Sequence, residues 1–208
     1  MRYNFFSDNI IFCENYLSED YLNLIYMDLL NARSLFNIPK WREGSDIIDA
    51  NNNSLCSALD FWIRNEDIQK SNLQNIIGLS RWFFHQGLKM FIKNYSNSVF
   101  KFLEERKFEW DIHVISYNKN NYYNWHTDGA LKTVFTFNLV LQKPSSLTEG
   151  KSIFYDPYEK TIPVKHNFLT VFPSYVPHAM TPLIGEKEVA FAEQRFSIQF
   201  WCRNIVSI

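Results

Sequence analysis

A histidine and an aspartate lie two residues apart in the segment NWHTDGA, residues 124–130. Side chains two apart in an extended strand project to the same face, so His126 and Asp128 could both contact one atom. Imidazole nitrogens and carboxylate oxygens are common ligands of divalent transition metals. A lone HxD pair also occurs often by chance, as a polar strand end. The pair therefore indicates a metal site only if a further ligand joins it.

A second histidine, His178, can supply that ligand. It follows a strand-like run and lies close to Pro173 and Pro177, whose rings restrict the local backbone. Two histidines and one carboxylate can occupy one face of an octahedral ferrous ion and leave the other face open for reactants. A structural zinc site would instead need a closed shell of four ligands, usually with thiolates, and the cysteines are distant in sequence. The pattern favours an open iron site.

A strand-like run near the end of the chain, RFSIQFWC, carries a third candidate. Alternation places Arg195, Ser197, Gln199 and Trp201 on one face and four mostly apolar side chains on the other. Arg195 could be an exposed edge arginine, but beside a metal site it is better explained as a bidentate partner for a dicarboxylate. Ser197 could donate a further hydrogen bond to the same carboxylate.

The elements that must position these residues change character along the chain. Helical patterning is clear at residues 18–31, returns at 54–63 and is strongest at 72–95, whereas residues 32–52 are predicted to form a loop with one possible strand. From Phe108 onward short strand-like runs follow one another without helices between them. This order predicts a mainly β, α+β fold, an antiparallel sandwich or jelly roll supported by N-terminal helices.

The chain length fits one domain. We expect a single unit over residues 1–208, with a helical support region at about 1–105 and a β core at about 106–208. Hydrophobic residues make up 46% and aromatic residues 17%, which describes a packed globular protein. The net charge of -1 and the pI near 6.5 provide no positive field for a polyanion, so nucleic acid is a disfavoured partner.

The cysteines and the hydropathy of the chain indicate the cellular compartment. Cys13, Cys56 and Cys202 are an odd number without metal-ligand spacing, which favours reduced thiols in a cytoplasm over a disulfide framework. The N-terminal segment lacks an apolar stretch that ends at a cleavage site, and no run reaches the roughly 18 apolar residues that span a bilayer. We therefore expect a soluble cytoplasmic protein with no membrane partner.

The C-terminal half resembles the catalytic half of the prolyl 4-hydroxylase-like group of 2-oxoglutarate/Fe(II) oxygenases, including small bacterial and phage members. The resemblance covers roughly residues 110–203, and its specificity comes from the order of several weak motifs. These are YNKNNYYNWHTDGA, FTFNLVLQ, EGKSIFY, NFLTVFPSYVPHAMTPL and RFSIQFW. The opening segment at residues 10–30 also resembles the first strand and helix of that group.

The resemblance implies roles for single residues. His126, Asp128 and His178 would ligate Fe(II), and Arg195 would bind the distal carboxylate of 2-oxoglutarate. Tyr117, nine residues before the first ligand, matches a tyrosine that often hydrogen-bonds the same co-substrate. Tyr123 matches a residue that lines the pocket.

Two departures from the family pattern stand out. Gly150 is followed by Lys151 where the family usually has paired glycines. Arg195 follows His178 by 17 residues, when about ten is usual, so residues 185–194 must form a longer hairpin or loop. We expect that loop to be a candidate cover for the active site.

The resemblance implies a dioxygenase that hydroxylates an unactivated C–H bond and couples this to decarboxylation of 2-oxoglutarate to succinate. Its requirements would be Fe(II), 2-oxoglutarate and O2, with ascorbate as a possible supporting reductant. The substrate could be a prolyl or other amino-acid residue of a peptide, a free amino acid or a small metabolite. The alternatives are a non-catalytic jelly-roll binding module and a nucleic-acid dealkylase of the same superfamily.

Three further histidines are weaker candidates. His85 is expected on a helix, His113 is expected to pack within the strand region, and His166 is expected in a solvated turn. None of the three is followed two residues later by a carboxylate, as His126 is. We therefore expect none of them to join the metal site.

Overall fold

The computed structural model of the chain describes residues 3–37, 56–64, 66–67, 71–83, 93, 99–103, 108–129, 133–143 and 146–204. The first half of the chain contains both helices and strands. In chain order they are β1 (Tyr3–Phe5), β2 (Ile11–Glu14), α1 (Glu19–Asn31), a 3-10 turn (Arg33–Leu35), β3 (Leu59–Ile63), α2 (Gln74–Trp82) and a second 3-10 turn (Val99–Leu103).

Strands dominate the second half. They are β4 (Phe108–Tyr117), β5 (Tyr123–His126), β6 (Thr133–Leu141), β7 (Thr148–Glu149), β8 (Ser152–Tyr155), β9 (Glu159–Ile162), β10 (Phe168–Pro173), β11 (His178–Met180), β12 (Leu183–Ile184) and β13 (Arg195–Asn204). A short 3-10 turn, Phe191–Glu193, precedes β13.

The strands form two principal antiparallel sheets. The major sheet has the order β1-β2-β10-β6-β13-β4-β3, the minor sheet has the order β5-β11-β8-β9, and β7 pairs with β12 separately. Successive parts of the chain alternate between the two sheets, as a jelly roll requires. The predicted mainly β, jelly-roll fold is confirmed.

The strand β13 lies at the centre of the major sheet, between β4 and β6. One face of β13 carries Phe196, Ile198, Phe200 and Cys202, all of which are buried in the main hydrophobic core together with residues of α1 and α2. The opposite face carries the polar residues of the same strand toward the minor sheet. The alternation along one strand thus separates the packing face from the cavity face.

The first helix forms as predicted. Ser18 is its N-cap and accepts a hydrogen bond from the backbone N–H of Tyr21, and acidic residues occupy the first turn. Leu22, Ile25 and Leu29 are buried on one face. This amphipathic pattern fixes α1 against the apolar face of the major sheet.

The helical prediction for residues 54–63 is wrong, because part of that segment is the strand β3. Leu59 to Ile63 pair in antiparallel register with Ser116 to Ile112 of β4. Apolar residues in this segment satisfy a helical and an alternating pattern at once, and pairing with the edge of a ten-residue strand decides between them. The N-terminal region also contributes β1 and β2, so it is not only a helical support.

Several expectations lie mainly outside the described residues. The predicted loop at 32–52 is described only as far as residue 37, and His85 is not described. Of the predicted helix at 72–95, α2 covers Gln74–Trp82. Within the described part of the chain, no helix has the length and apolar character needed to cross a membrane.

A carboxylate of α1 caps α2. The backbone N–H groups of Asn75 and Ile76 donate to Asp28 at 2.8 and 3.0 Å, and the Asn75 amide donates at 2.8 Å. The residue that precedes the helix, Leu73, offers no capping side chain. Asp28 therefore satisfies N–H groups that the helix itself cannot satisfy and joins the two helices.

We expect Asp28→Ala to lower the free energy of unfolding by about 1–2 kcal/mol, because it removes this cap and leaves buried N–H groups without an acceptor. Asp28→Asn keeps one acceptor oxygen and should lose less. Urea unfolding followed by circular dichroism measures both effects. Equal stability of the alanine variant and the wild type would contradict the capping role.

Candidate active site

The minor sheet brings the three predicted ligands together. His126 ends β5, Asp128 follows two residues later, and His178 begins β11. The two strands pair antiparallel with His178 directly opposite His126. One ligand atom from each of the three residues lies within 4.8 Å of the other two. Asp128 is 3.5 Å from Nε2 of His126 and 3.6 Å from Nε2 of His178.

Backbone carbonyls orient both imidazole rings. The Nδ1 atom of His126 lies 2.7 Å from the Asn124 carbonyl oxygen, and that of His178 lies 3.0 Å from the Val176 carbonyl oxygen. A carbonyl only accepts, so each Nδ1 carries the hydrogen and each Nε2 presents a lone pair to the cluster. Nε2 of His178 is buried and has no hydrogen-bond partner within the described structure. This is the orientation that metal-binding histidines adopt.

The carboxylate of Asp128 is held from the major sheet. Thr136 on β6 donates to Asp128 Oδ2 at 2.7 Å, and the Thr136 hydroxyl also lies 3.1 Å from the Ser174 hydroxyl. The backbone N–H of Asp128 donates to the Ser174 carbonyl at 2.8 Å. The side chain and the backbone of Asp128 are therefore fixed independently.

The protonation states suit metal binding. Burial alone would raise the pKa of Asp128, but the His178 charge, together with His126 and the Thr136 hydrogen bond, lowers that pKa to about 2. Burial and the neighbouring His126 lower the pKa of His178 to about 4. At neutral pH the carboxylate is thus ionised and the His178 ring is neutral. These are the forms that coordinate a divalent cation.

The cluster has the composition of an open metal site. It contains two imidazoles and one carboxylate, and among the described residues no further His, Cys, Asp or Glu joins it. Such a set fits a ferrous ion with free coordination positions better than a four-ligand structural zinc. The residues present therefore fit the iron that the sequence predicts.

Aromatic rings enclose the histidines. Tyr123 stacks on His126 with ring centroids 4.0 Å apart, and Phe172 contacts the His178 ring edge-on at 4.7 Å. Phe154 lies 5.8 Å from His178. These contacts limit ring rotation and exclude water from one side of the cluster. Tyr123, predicted to line the pocket, lines the same cavity as both histidines.

A single cavity is lined by both histidines and by Arg195. Arg195 is 1% exposed, and its Nη1 donates to the Gly150 carbonyl at 2.5 Å. Its Nε has no hydrogen-bond partner, and no carboxylate among the described residues forms an ion pair with it. Burial lowers the pKa of Arg195 to about 10, partly opposed by Tyr117, so the side chain stays cationic at neutral pH.

An unpaired buried guanidinium is costly, because a charge removed from water needs compensating partners. Its open donors at the end of a cavity fit an anionic group of a ligand, and a carboxylate matches the planar guanidinium. Tyr117 lies opposite Arg195 in the strand register and lines the cavity. Burial raises the pKa of Tyr117 well above its usual value, so its hydroxyl remains a donor.

The role predicted for Ser197 stays a prediction. Ser197 lines the cavity, but its hydroxyl donates to Asn138 Oδ1 at 2.5 Å. A hydroxyl has one hydrogen, so Ser197 contacts a ligand carboxylate only if this bond rearranges. Asn138 is the group that the sequence reasoning missed here.

The lack of a side chain at Gly150 leaves the space that the Arg195 guanidinium occupies. Gly150 has φ +70°, and a Cβ at this position would lie 2.2 Å from Arg195 Nη1 and 2.7 Å from Leu183 Cδ2. Only a residue without a side chain allows this backbone to approach the guanidinium and to offer its carbonyl. The turn therefore needs one glycine at position 150, and Lys151 is compatible with it.

Sequence reasoning also missed Thr136 and Ser174, which hold Asp128. One signal was available, because Thr136 and Asn138 are the polar members of the alternating run FTFNLV and therefore share one face of β6. Polar residues at alternate positions of an otherwise apolar central strand indicate a polar cavity. Ser174 offers no comparable signal, since it lies in a turn.

The weaker histidine candidates do not join the cluster. His113 is buried and hydrogen-bonds Asp60 and Gln199, in agreement with a packing role. His166 lies in a turn as predicted, but it is half-buried, since it stacks on Tyr26 and accepts from the Gln142 backbone. The expectation of a solvated His166 is therefore wrong.

The loop at 185–194 does not cover the cavity. None of the cavity-lining residues comes from this loop. Asn118 hydrogen-bonds the backbone of Val189 twice, and Phe191 packs on Phe36 and Phe196. The extra residues thus attach to the β4–β5 turn and the hydrophobic core, and the idea of an active-site cover is wrong.

Comparison with known families identifies the β core. A family model described as "2OG-Fe(II) oxygenase superfamily" matches residues 112–203. This part of the chain belongs to that superfamily. The oxygenases of this superfamily use Fe(II) and 2-oxoglutarate, and the match includes the His-Asp-His cluster and Arg195. A comparison with curated proteins finds no match.

Solved structures with the same fold include several prolyl hydroxylases. A Pseudomonas putida prolyl-4-hydroxylase is 16% identical, with a TM-score of 0.59, and covers 94% of this chain and 92% of its own. A Trichoplax adhaerens prolyl hydroxylase in complex with a hypoxia inducible factor peptide fragment is 14% identical, with a TM-score of 0.64 and coverage of 95% and 84%. A viral collagen prolyl hydroxylase from Paramecium bursaria Chlorella virus-1, in complex with 2OG, is 16% identical, with a TM-score of 0.58 and coverage of 94% and 96%.

We expect Gly150→Ala to destabilise the oxygenase by at least about 1 kcal/mol, because the new Cβ overlaps the Arg195 guanidinium and the backbone has a positive φ. Gly129→Ala is the matched control, since the nearest atom to its Cβ would be 4.0 Å away. Thermal unfolding compares the two variants. A Gly150→Ala protein as stable as the Gly129→Ala protein would contradict the steric account.

We expect Fe(II), added without oxygen, or Co(II) to raise the unfolding midpoint of the oxygenase. A cation at 100 times its dissociation constant stabilises the native state by about 2.7 kcal/mol. His126→Ala should abolish most of this gain, because it removes one of three ligands, whereas His166→Gln should retain it. Calorimetry with and without metal measures the shift. Equal shifts in both variants would place the metal elsewhere.

Proposed function

We propose that this oxygenase hydroxylates an unactivated C–H bond in a reaction that requires Fe(II), O2 and 2-oxoglutarate and yields succinate. One observation carries the proposal. A single cavity has an open His-Asp-His cluster on one side and, on another, a buried guanidinium that has no acidic partner among the described residues. These two features match the two ends of a 2-oxo dicarboxylate, one of which binds metal and the other a cation.

The residues have distinct roles in this proposal. His126, Asp128 and His178 hold Fe(II), which when bound supplies the activation of dioxygen that is coupled to loss of carbon dioxide from 2-oxoglutarate. Arg195 binds the distal carboxylate, and Tyr117 donates a hydrogen bond to it. Tyr123, Phe154 and Phe172 keep the histidine rings in place and exclude water from the reacting groups.

The substrate class in this proposal is a prolyl or other amino-acid residue of a peptide, with a free amino acid or small metabolite as the second choice. The structures with the same fold support a peptide, since one of them is a prolyl hydroxylase in complex with a peptide fragment. We also propose a cytoplasmic location. The three buried cysteine thiols fit a reducing compartment.

The test is succinate formation from 2-oxoglutarate with Fe(II) and ascorbate under air. We expect succinate from the wild type and only background from His126→Ala. Equal background from both proteins, with no iron bound, would favour a non-catalytic binding module. Iron binding without any dependence on 2-oxoglutarate would instead indicate a different oxidase.

Arg195→Met should raise KM for 2-oxoglutarate by roughly 10- to 100-fold, because it removes charge-assisted hydrogen bonds to a carboxylate. The matched control is Arg203→Met on the same face of β13, since Arg203 pairs with Asp111 and Glu109 and does not line the cavity. Steady-state kinetics at varied 2-oxoglutarate measure both variants. An unchanged KM for Arg195→Met would remove Arg195 from the co-substrate site.

A further inference from the structure

Gln199 has a fixed amide orientation in the cavity wall. Its Oε1 accepts a hydrogen bond from Trp201 Nε1 at 2.9 Å and lies 3.1 Å from His113 Nδ1. An indole N–H can only donate, so the atom that faces Trp201 must be the amide oxygen. For His113 Nδ1 to bond the same oxygen it must be the donor, and its Nε2 donates to the Asp60 carboxylate as well only when both ring nitrogens carry hydrogens. The amide NH2 of Gln199 is therefore directed away from both groups.

The amide NH2 has no hydrogen-bond partner within the described part of the chain, although Gln199 is only 6% exposed. Gln199 lines the cavity, whereas His113 and Trp201 are not among its lining residues. The amide nitrogen is not one of the fully enclosed unpaired atoms, so it is accessible from the cavity, and a ligand or water there can accept its hydrogens. The cavity is the place from which such a partner can come.

A buried frame supports this orientation. The second ring nitrogen of His113 lies 2.8 Å from Asp60 Oδ2, and the His113 ring stacks on Trp62 with centroids 3.9 Å apart and an angle of 6°. Trp62, His113 and Gln199 are direct neighbours in the register of β3, β4 and β13. The frame consists of protein side chains alone, so it can position the donor independently of a ligand.

The strand register places Gln199 between the two ends of the proposed ligand. On β13, Arg195 lies opposite Tyr117, and Trp201 lies opposite Thr136, the residue that holds Asp128. Gln199, opposite Asn138, lies between these two rows on the same face. A ligand that extends from Arg195 to the metal cluster therefore passes the Gln199 amide.

We propose that the Gln199 amide donates a hydrogen bond to an oxygen in the metal-proximal half of 2-oxoglutarate, and that Trp201, His113 and Asp60 hold it in that orientation. This inference rests on the proposed function. Gln199 is then a positioning residue that distinguishes ligands with an acceptor oxygen at this point from ligands without one.

The decisive variant is Gln199→Met, which has similar length, no charge and no donor. We expect the dissociation constant of 2-oxoglutarate, measured by calorimetry with Mn(II) under nitrogen, to rise about tenfold or more. Glutarate lacks the oxo oxygen but keeps both carboxylates, so a smaller loss for glutarate assigns the bond to the oxo oxygen and an equal loss assigns it to the neighbouring carboxylate. Thermal unfolding checks that the variant is folded, since the Trp201 and His113 donors lose their acceptor.

A second variant, Gln199→Glu, keeps the frame, because a carboxylate still accepts from Trp201 and His113 while its other oxygen replaces the cavity-facing donor. It should be folded and should bind 2-oxoglutarate at least tenfold more weakly. Ser152→Asp controls for added charge, since Ser152 lines the same cavity and its hydroxyl makes no hydrogen bond among the described residues. If Gln199→Met does not fold, a Gln199→Glu loss larger than the Ser152→Asp loss supports the proposal, and an equal or smaller loss overturns it.

The outcomes separate the two proposals. Wild-type binding that depends on Arg195, together with wild-type affinity in folded Gln199→Met, overturns the role of Gln199 and leaves the proposed function intact. Absence of 2-oxoglutarate binding in the wild type overturns the proposed function itself. Weaker binding of 2-oxoglutarate in folded Gln199→Met supports the inference.

Discussion

The alternation of side chains along β13 is the constraint on which the rest of the molecule depends. This strand lies between β4 and β6, so its register is fixed from both sides. Its apolar residues complete the core beneath the helices, and its polar residues form one wall of the cavity. A shift of one residue would exchange the two faces, bury the polar groups in the core and expose the apolar ones. Core stability and cavity chemistry are therefore specified by the same hydrogen-bonded ladder.

The minor sheet adds the metal-binding groups to this wall. The pairing of β5 with β11 brings two histidines into contact although 52 residues separate them, while Thr136 of the major sheet holds the aspartate. The cluster thus depends on both sheets and on the turn that contains Ser174. Loss of either sheet's geometry would separate the donors.

Two buried polar groups in the site lack a full set of partners among the described protein residues. Within the described structure, Arg195 is a buried cation without an anionic partner, and His178 Nε2 is a buried acceptor without a donor. Each of these groups costs free energy that the surrounding packing must offset. Binding of a metal and an anionic ligand satisfies them together. The protein is thereby organised for its ligands at the expense of its own stability.

Much of this arrangement follows from local sequence patterns. Alternation in RFSIQFWC places Arg195 and Gln199 on one face, and the HxD spacing places two ligands together, because both patterns depend only on strand geometry. The strand β3 was not predictable in this way, since its short apolar segment fits two periodicities and only pairing with β4 selects one. The roles of Ser174 and Gly150 depend on contacts between distant segments. No local pattern encodes such contacts.

The proximity of Gly150 to Arg195 has a consequence for how this chain can change. The guanidinium occupies the space that any side chain at position 150 would need, although 45 residues separate the two positions. The two positions are therefore expected to be epistatic. A shorter residue in place of the arginine would remove only part of the obstacle to a side chain at 150, because Leu183 and the positive φ remain, and such a replacement alone would leave a void and an unused carbonyl. A substitution at either position is therefore constrained by the residue at the other. Both positions should vary less among related sequences than the rest of the turn.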